Sequence, residues 1–129
     1  MYVYIYIYVY KCVYQKERHS YKFGTWNLRT LKQGGKLEKL KTEMQKNKVS
    51  VLGVSEVRWT GQGEIRSGDY TVYCSGGECA ERGVAIVVHK SIVRNVVQKI
   101  ACNDRIIAIK LKAEPVNILL MQVYANIRV

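Results

Sequence analysis

Three polar residues in this chain stand at the C-terminal ends of predicted strands, where open α/β sheets gather their ligands. Asn27 lies in TWNLRT, Glu56 in SEVRW and Tyr124 in QVYAN. Brought to one sheet edge, the Glu56 carboxylate can hold a hard cation such as Mg²⁺, which needs few protein oxygens when phosphate and water supply the rest. The Asn27 amide can orient that carboxylate or its water, and the Tyr124 hydroxyl can hydrogen-bond a phosphate oxygen. The same residues also suit an ordinary strand-end cap, an exposed glutamate and a core tyrosine. Spacing alone leaves both readings open.

Other candidate chemistry is sparse. GQGEIRSG lacks the third glycine of a dinucleotide loop and the Gly-Lys-Ser/Thr of a P-loop, so no nucleotide cradle is present. Of the two histidines, His19 lies in a basic stretch and His89 ends an apolar run, positions that suit surface polarity better than catalysis. Cysteines 12, 74, 79 and 102 show neither CxxC pairing nor the density of a disulfide scaffold. Reduced thiols are expected, with a Cys74–Cys79 hairpin bridge as the lesser alternative.

The elements that must position Asn27, Glu56 and Tyr124 follow from periodicity. YKFGTWNL reads as a strand, KQGGK as a turn, and the following segment as a helix. Leu37, Leu40 and Met44 recur at spacings of three and four and form its inward stripe, with Lys36, Lys39, Lys41 and Lys46 mainly elsewhere on its surface. VSVLGVSE is the nearly continuous apolar run of a buried parallel strand, reached by a strand-helix-strand crossover. The remainder reads as a meander of YTVYC, VAIVVHK, IVRNVVQKI, RIIAIKLKA and VNILLMQVY, with turns at Gly76-Gly77, Asn103-Asp104 and Glu114-Pro115. The expected class is α/β, one mixed sheet with one or two helices. RIIAIKL and VNILLMQV are apolar enough to be covered on both sides, yet no further segment remains to cover the second face. A truncated fold is therefore expected, its second sheet missing.

Composition sets the partners. With 129 residues, Lys+Arg 21 and Asp+Glu 10, the chain carries a formal +11, the sign and size expected of a protein that meets polyanions. From Lys11 to Lys48 the excess reaches +8, so nucleic-acid binding should be nonspecific and salt-sensitive. Excess lysine is also a common solubility device. Residues 1–14, MYVYIYIYVYKCVY, hold six of the ten tyrosines and alternate them with Val or Ile, leaving no polar face. The run is too short to span a bilayer and lacks the early charge and cleavage site of a signal peptide, so no membrane association is expected and the location is nuclear or cytoplasmic. Residues 1–20 are expected to form a leader outside the domain, which then covers 21–129.

TWNLRTL, VLGVSEVRWTGQGE, DYTVYCSGG, ERGVAIVV, RIIAIKLK and QVYA, in that order over residues 23 to about 126, resemble the endonuclease/exonuclease/phosphatase superfamily. The likeness is strongest to retrotransposon (LINE-type) endonucleases and the craniofacial development protein 2-like proteins, with SEVRWTGQGE as its most specific signature. It implies a four-layer α/β sandwich, of which this chain would hold a part, and a Mg²⁺-dependent phosphodiesterase acting on DNA. Glu56 then matches the metal-binding glutamate, Asn27 the asparagine of the first motif, and Tyr124 the tyrosine that contacts the scissile phosphate. Arg29, where repair enzymes carry Asp, argues against abasic-site repair, and Asn126 replaces a usual Pro. The family's Asp-x-Asn motif and closing Asp-His pair have no counterpart in this sequence. The resemblance therefore implies an N-terminal half that is inactive alone. The alternative is a noncatalytic basic remnant that binds nucleic acid nonspecifically or has no function.

Overall fold

The strand-helix-strand unit expected at the start of the domain is present in the computed structural model, which describes residues 23–27, 35–55, 57, 61–76, 83–103, 105–112 and 117–123, at Asn27 the backbone alone. Strand β1 (Phe23–Asn27) runs parallel to β2 (Val51–Ser55), with helix α1 (Lys36–Asn47) between them. The helix begins after Gly35, whose φ of 86° is a left-handed conformation glycine adopts without a Cβ penalty. Glu38 in its first turn and Lys46 in its last complement the helix dipole. Leu40 and Met44 are fully buried and Leu37 packs partly buried beside them. One of the expected surface lysines departs from that reading. Lys41 is mostly buried, its Nζ 2.9 Å from Ser67 Oγ and 2.7 Å from Glu38 Oε1, because it lies over the next hairpin and not over open solvent.

That hairpin, β3 (Gln62–Ser67) and β4 (Tyr70–Ser75), turns at Gly68-Asp69, with Gly68 at φ 58° in the first central position of a two-residue loop. Strand β5 (Val84–His89) pairs antiparallel with both β2 and β4, completing a mixed five-stranded sheet in the order β1-β2-β5-β4-β3. The α/β class is as the sequence predicts. The single sheet is not.

After β5 the chain makes a short helix, α2 (Lys90–Val93), where strand was expected around residues 92–93. His89 caps it, its Nδ1 accepting from the Ser91 backbone N–H at 3.2 Å, so this histidine has a structural role. The chain then crosses into a separate antiparallel sheet of β6 (Val96–Ala101), β7 (Ile106–Leu111) and β8 (Ile118–Val123), in that order. The second sheet expected to be missing is thus present, with three strands. Its cause is the pattern noted in sequence: strands apolar on both faces need two covers, and the three-stranded sheet supplies one of them.

Two cores result. On one face of the five-stranded sheet, Leu40 and Met44 of α1 pack on Leu52, Val54, Val72 and Val87. On the other, Val51, Tyr73, Ile86 and Val88 meet Ile107, Ile109 and Leu111 of β7, with Ile92 of α2. Burying each such aliphatic side chain contributes about 1.5–3 kcal/mol. The outer face of the three-stranded sheet remains open, with Leu119 56% and Met121 58% exposed. Among the described residues no helix is long and apolar enough to cross a membrane. The leader, residues 1–20, lies outside the described residues.

Candidate functional site

Register aligns the strand ends at which the sequence-predicted residues were sought. Asn27 pairs with Ser55, Ser55 with Val84, Val84 with Ser75, and Ser75 with Gln62, so these five residues form the last row of the five-stranded sheet. In the facing sheet the corresponding end is made by Ala101 opposite Ile107 and by Ile106 opposite Val123. Glu56 directly follows Ser55 and Tyr124 directly follows Val123 in sequence. Glu56, Tyr124 and the Asn27 side chain lie outside the described residues. Their chain neighbours are firmly seated: Ser55 and Val57, on either side of Glu56, are both fully buried.

The two sheets are joined at this edge by hydrogen bonds. Ser75 Oγ donates to the Asn103 carbonyl at 2.5 Å, and Gln62 Nε2 to the Ala101 carbonyl at 3.2 Å. The β6–β7 turn that receives the first is itself tied by Asn103, whose Oδ1 accepts from the backbone N–H groups of Arg105 at 2.8 Å and Ile106 at 3.0 Å. On β8, Gln122 turns inward, and its Oε1 accepts from Thr25 Oγ1 of β1 at 3.1 Å. The same carboxamide lies against Gly53 of β2, where a Cβ would come within 2.9 Å of Gln122 Cδ and closer still to Oε1. Glycine at 53 is therefore a packing requirement.

Of the buried polar side chains among the described residues, Ser55, Ser75 and Gln122 all lie at or next to this edge, and Thr71 alone lies elsewhere. Sequence reasoning named none of the three, nor Thr25 or Gly53. Two signals were available: a glycine inside the apolar run VLGVS, which marks close approach of another group, and a glutamine at an inward position of ILLMQV. Just inside the edge, on the helix side, Cys74 is unbridged and its thiol is held above its ordinary 9.0 by burial, with Lys99 and the Gly63 carbonyl acting in the opposite sense. Cys79, the bridge partner considered above, lies outside the described residues. Among the described residues no group of three or more His, Cys, Asp or Glu gathers to hold a metal ion.

No protein-family model matches the chain. It is 41% identical over 112 residues to craniofacial development protein 2 of Bos taurus and 37% identical over 109 residues to that of Tragulus javanicus. Each match takes in 84% of this chain but only 18% and 19% of the relatives, so the chain spans less than a fifth of their length. Among solved structures it is similar to an AP endonuclease from Leishmania major, with a TM-score of 0.60 at 18% identity, over 81% of this chain and 40% of that one. It is also similar to the endonuclease domain of TRAS1, a telomere-specific non-LTR retrotransposon, with a TM-score of 0.55 at 15% identity, over 82% and 45% of the two chains. At such identities the structural likeness speaks for the fold alone.

Proposed function

We propose, from the premise that this chain has an endonuclease/exonuclease/phosphatase-like fold and makes up its N-terminal part, that its polar edge is the cation- and phosphate-binding portion of a DNA endonuclease site. The observation that supports this reading is that Asn27 and Ser55 end neighbouring strands while Gln122, near the end of β8, is hydrogen-bonded to Thr25 of β1, and Glu56 and Tyr124 follow these strand ends in sequence. A carboxylate and an amide are hard oxygen donors, and the buried hydroxyls and carboxamide beside them make a polar surround, a donor chemistry that fits Mg²⁺. Glu56 would hold the ion with support from Asn27. Bound there, Mg²⁺ would supply charge neutralisation at a phosphodiester. The Tyr124 hydroxyl would donate to a phosphate oxygen and fix its orientation. The formal +11 charge would hold DNA through its backbone, without sequence preference.

Binding is all that this chain does by itself. Phosphoryl transfer needs a nucleophilic water held in line, and the sequence contains no Asp-x-Asn and no Asp-His pair to hold one. A general base alone is worth about 10²- to 10⁴-fold. The alternative, a noncatalytic nucleic-acid binder, draws on the same charge and dispenses with the cation.

Mn²⁺ titration followed by electron paramagnetic resonance, run beside supercoiled-plasmid relaxation, separates these readings. Mn²⁺ should bind the chain, and Glu56→Gln should weaken it at least tenfold, with no nicking by either protein. Mn²⁺ binding indifferent to Glu56→Gln would leave only the nucleic-acid binder. Metal-dependent nicking that vanishes in Glu56→Gln would instead make the chain a competent nuclease.

A further inference from the structure

We infer that Gln122 is a positioning residue, a cross-sheet latch that sets the end of β8 against the ends of β1 and β2. A buried carboxamide in an otherwise apolar inward row, Ile118, Leu120 and Gln122, needs a reason to be there. A leucine would fill similar volume and leave no polar group to satisfy. The structure supplies the reason in two contacts that reach different strands: the hydrogen bond from Thr25 Oγ1 and the close seat on Gly53. A hydrogen bond is directional where apolar packing is not, so this pair fixes the sliding of β8 along the facing sheet. The absence of a Cβ at Gly53 fixes how closely the carboxamide approaches.

The place of the latch gives it a consequence. Thr25 lies two residues before Asn27, Gly53 three before Glu56, and Gln122 two before Tyr124. One side chain thus registers all three strands within a single turn of chain from the proposed site residues. The two sheets meet at this edge through other bonds as well, but those of Ser75 and Gln62 run to the β6–β7 turn and to the last residue of β6 and leave β8 untouched. Among the hydrogen bonds described, that of Gln122 is the tie from β8 to β1, and its seat on Gly53 is a packing contact with β2. It need touch neither metal nor phosphate to matter, because groups that orient ligands from behind typically change metal affinity by about 10- to 100-fold. Its effect on affinity rests on the reading of the edge given above; its effect on strand position does not.

Two measurements on the full chain test the latch. In the Mn²⁺ titration, Thr25→Val and Gln122→Leu should each weaken binding by about tenfold. The double variant should be no weaker than either single one, since both remove the same bond. Thr25→Ser, which keeps the hydroxyl, should restore wild-type affinity, a rescue that general loosening of the fold would not give. Amide hydrogen exchange reads the latch without metal: Thr25→Val should raise exchange in β8 and at the ends of β1 and β2 while α1 is unchanged. Thr25→Val serves if Gln122→Leu does not fold. Mn²⁺ affinity within twofold of wild type in Thr25→Val, with Glu56→Gln still impaired, would overturn the role toward the site while sparing the site. Should Glu56→Gln leave Mn²⁺ binding intact, the site reading fails, and exchange alone decides: unchanged exchange in β8 would overturn the latch itself.

Discussion

The two ends of the space between the sheets are built differently. At the end where β1 and β2 begin, Phe23, Val51, Val88 and Ile92 meet Leu111, Val96 and Ile118, a contact of hydrocarbon on hydrocarbon with Thr71 as its buried hydroxyl. At the end where they finish, Thr25, Ser75, Gln62 and Gln122 cross the gap with hydrogen bonds. The net worth of one such bond is about 0.5–1.5 kcal/mol, less than the burial of one large aliphatic side chain. The polar end is therefore the poorer source of stability and the better source of fixed geometry. Stability and positioning are placed at opposite ends of one interface.

The largest expected effect tests the first half of that division. Ile109 is fully buried at the centre of the inter-sheet core, with Ile86 and Leu111 in the same cluster. Ile109→Ala should destabilise the chain by about 2–5 kcal/mol, the lost transfer energy plus an unfilled cavity. Urea denaturation would measure it. A loss under 1 kcal/mol would mean that the sheets are not held together by this core.

At the polar end the effect should be smaller and should depend on a partner. Gly53→Ala puts a Cβ against the Gln122 carboxamide, and overpacking of this kind costs about 1–3 kcal/mol. Shortening the partner with Gln122→Ser should recover most of that loss. Without recovery, Gly53 would be needed for some reason other than the seat of Gln122, and the contrast between the two ends would lose its main example.

How much of this was legible in the sequence depended on whether a residue's role was set locally. Helix α1 was, since Leu37, Leu40 and Met44 mark its inner face and Gly35 its start. So were the parallel pairing of β1 with β2 and the turn at Asn103, whose short side chain ties its own backbone. Strand β3 was hidden because QGEIRS is mostly exposed and has no apolar alternation, although the Gly-Asp pair that turns it is a hairpin signal. The division into two sheets was hidden for another reason. A strand apolar on both faces looks the same whether a helix or another sheet covers it, and only α2, four residues long, redirects the chain. Asn27, Glu56 and Tyr124 were named from strand ends and family likeness, and the side chain of the first and the whole of the other two lie outside the described residues. Thr25, Gly53 and Gln122 were out of reach because their meaning lies in a contact across 97 residues of sequence.

Alkaline pH should expose the helix-side core in a graded way. Burial raises the Cys74 thiol above its ordinary 9.0 and the Tyr70 hydroxyl above its ordinary 10.0, as it does the Tyr73 hydroxyl on the inter-sheet side. Each group is neutral in the folded chain at a pH where the unfolded chain has begun to ionise. The stability they contribute is therefore complete below the ordinary thiol value and is lost as pH rises from each group's ordinary value through its raised folded one, first from Cys74 and then from the tyrosines. The melting temperature should be flat from pH 7 to 8 and decline above 9. Exposed Cys102 should react with a thiol reagent well before buried Cys74. Equal rates at the two cysteines would show that the helix-side core opens freely, contrary to its burial.

The smallest effect is expected where apolar residues face outward. Leu119 and Met121 alternate on β8 with the inward Leu120 and Gln122, so the same strand presents an exposed apolar face and a buried one. Apolar area contributes to folding only when it leaves water, and at 56% and 58% exposure these two side chains keep more than half of theirs in it. Threonine has the β-branched shape that suits a strand and offers a hydroxyl to solvent. Leu119→Thr and Met121→Thr should each change unfolding free energy by no more than about 0.5 kcal/mol, the range of ordinary surface substitutions. Paired with Ile109→Ala on the neighbouring strand, they measure the two faces of one sheet. If either threonine variant lost 2 kcal/mol or more, the outer face would be buried in solution. Repeating the melts over a hundredfold range of protein concentration would then tell whether copies of the chain cover it, since only association makes the midpoint depend on concentration.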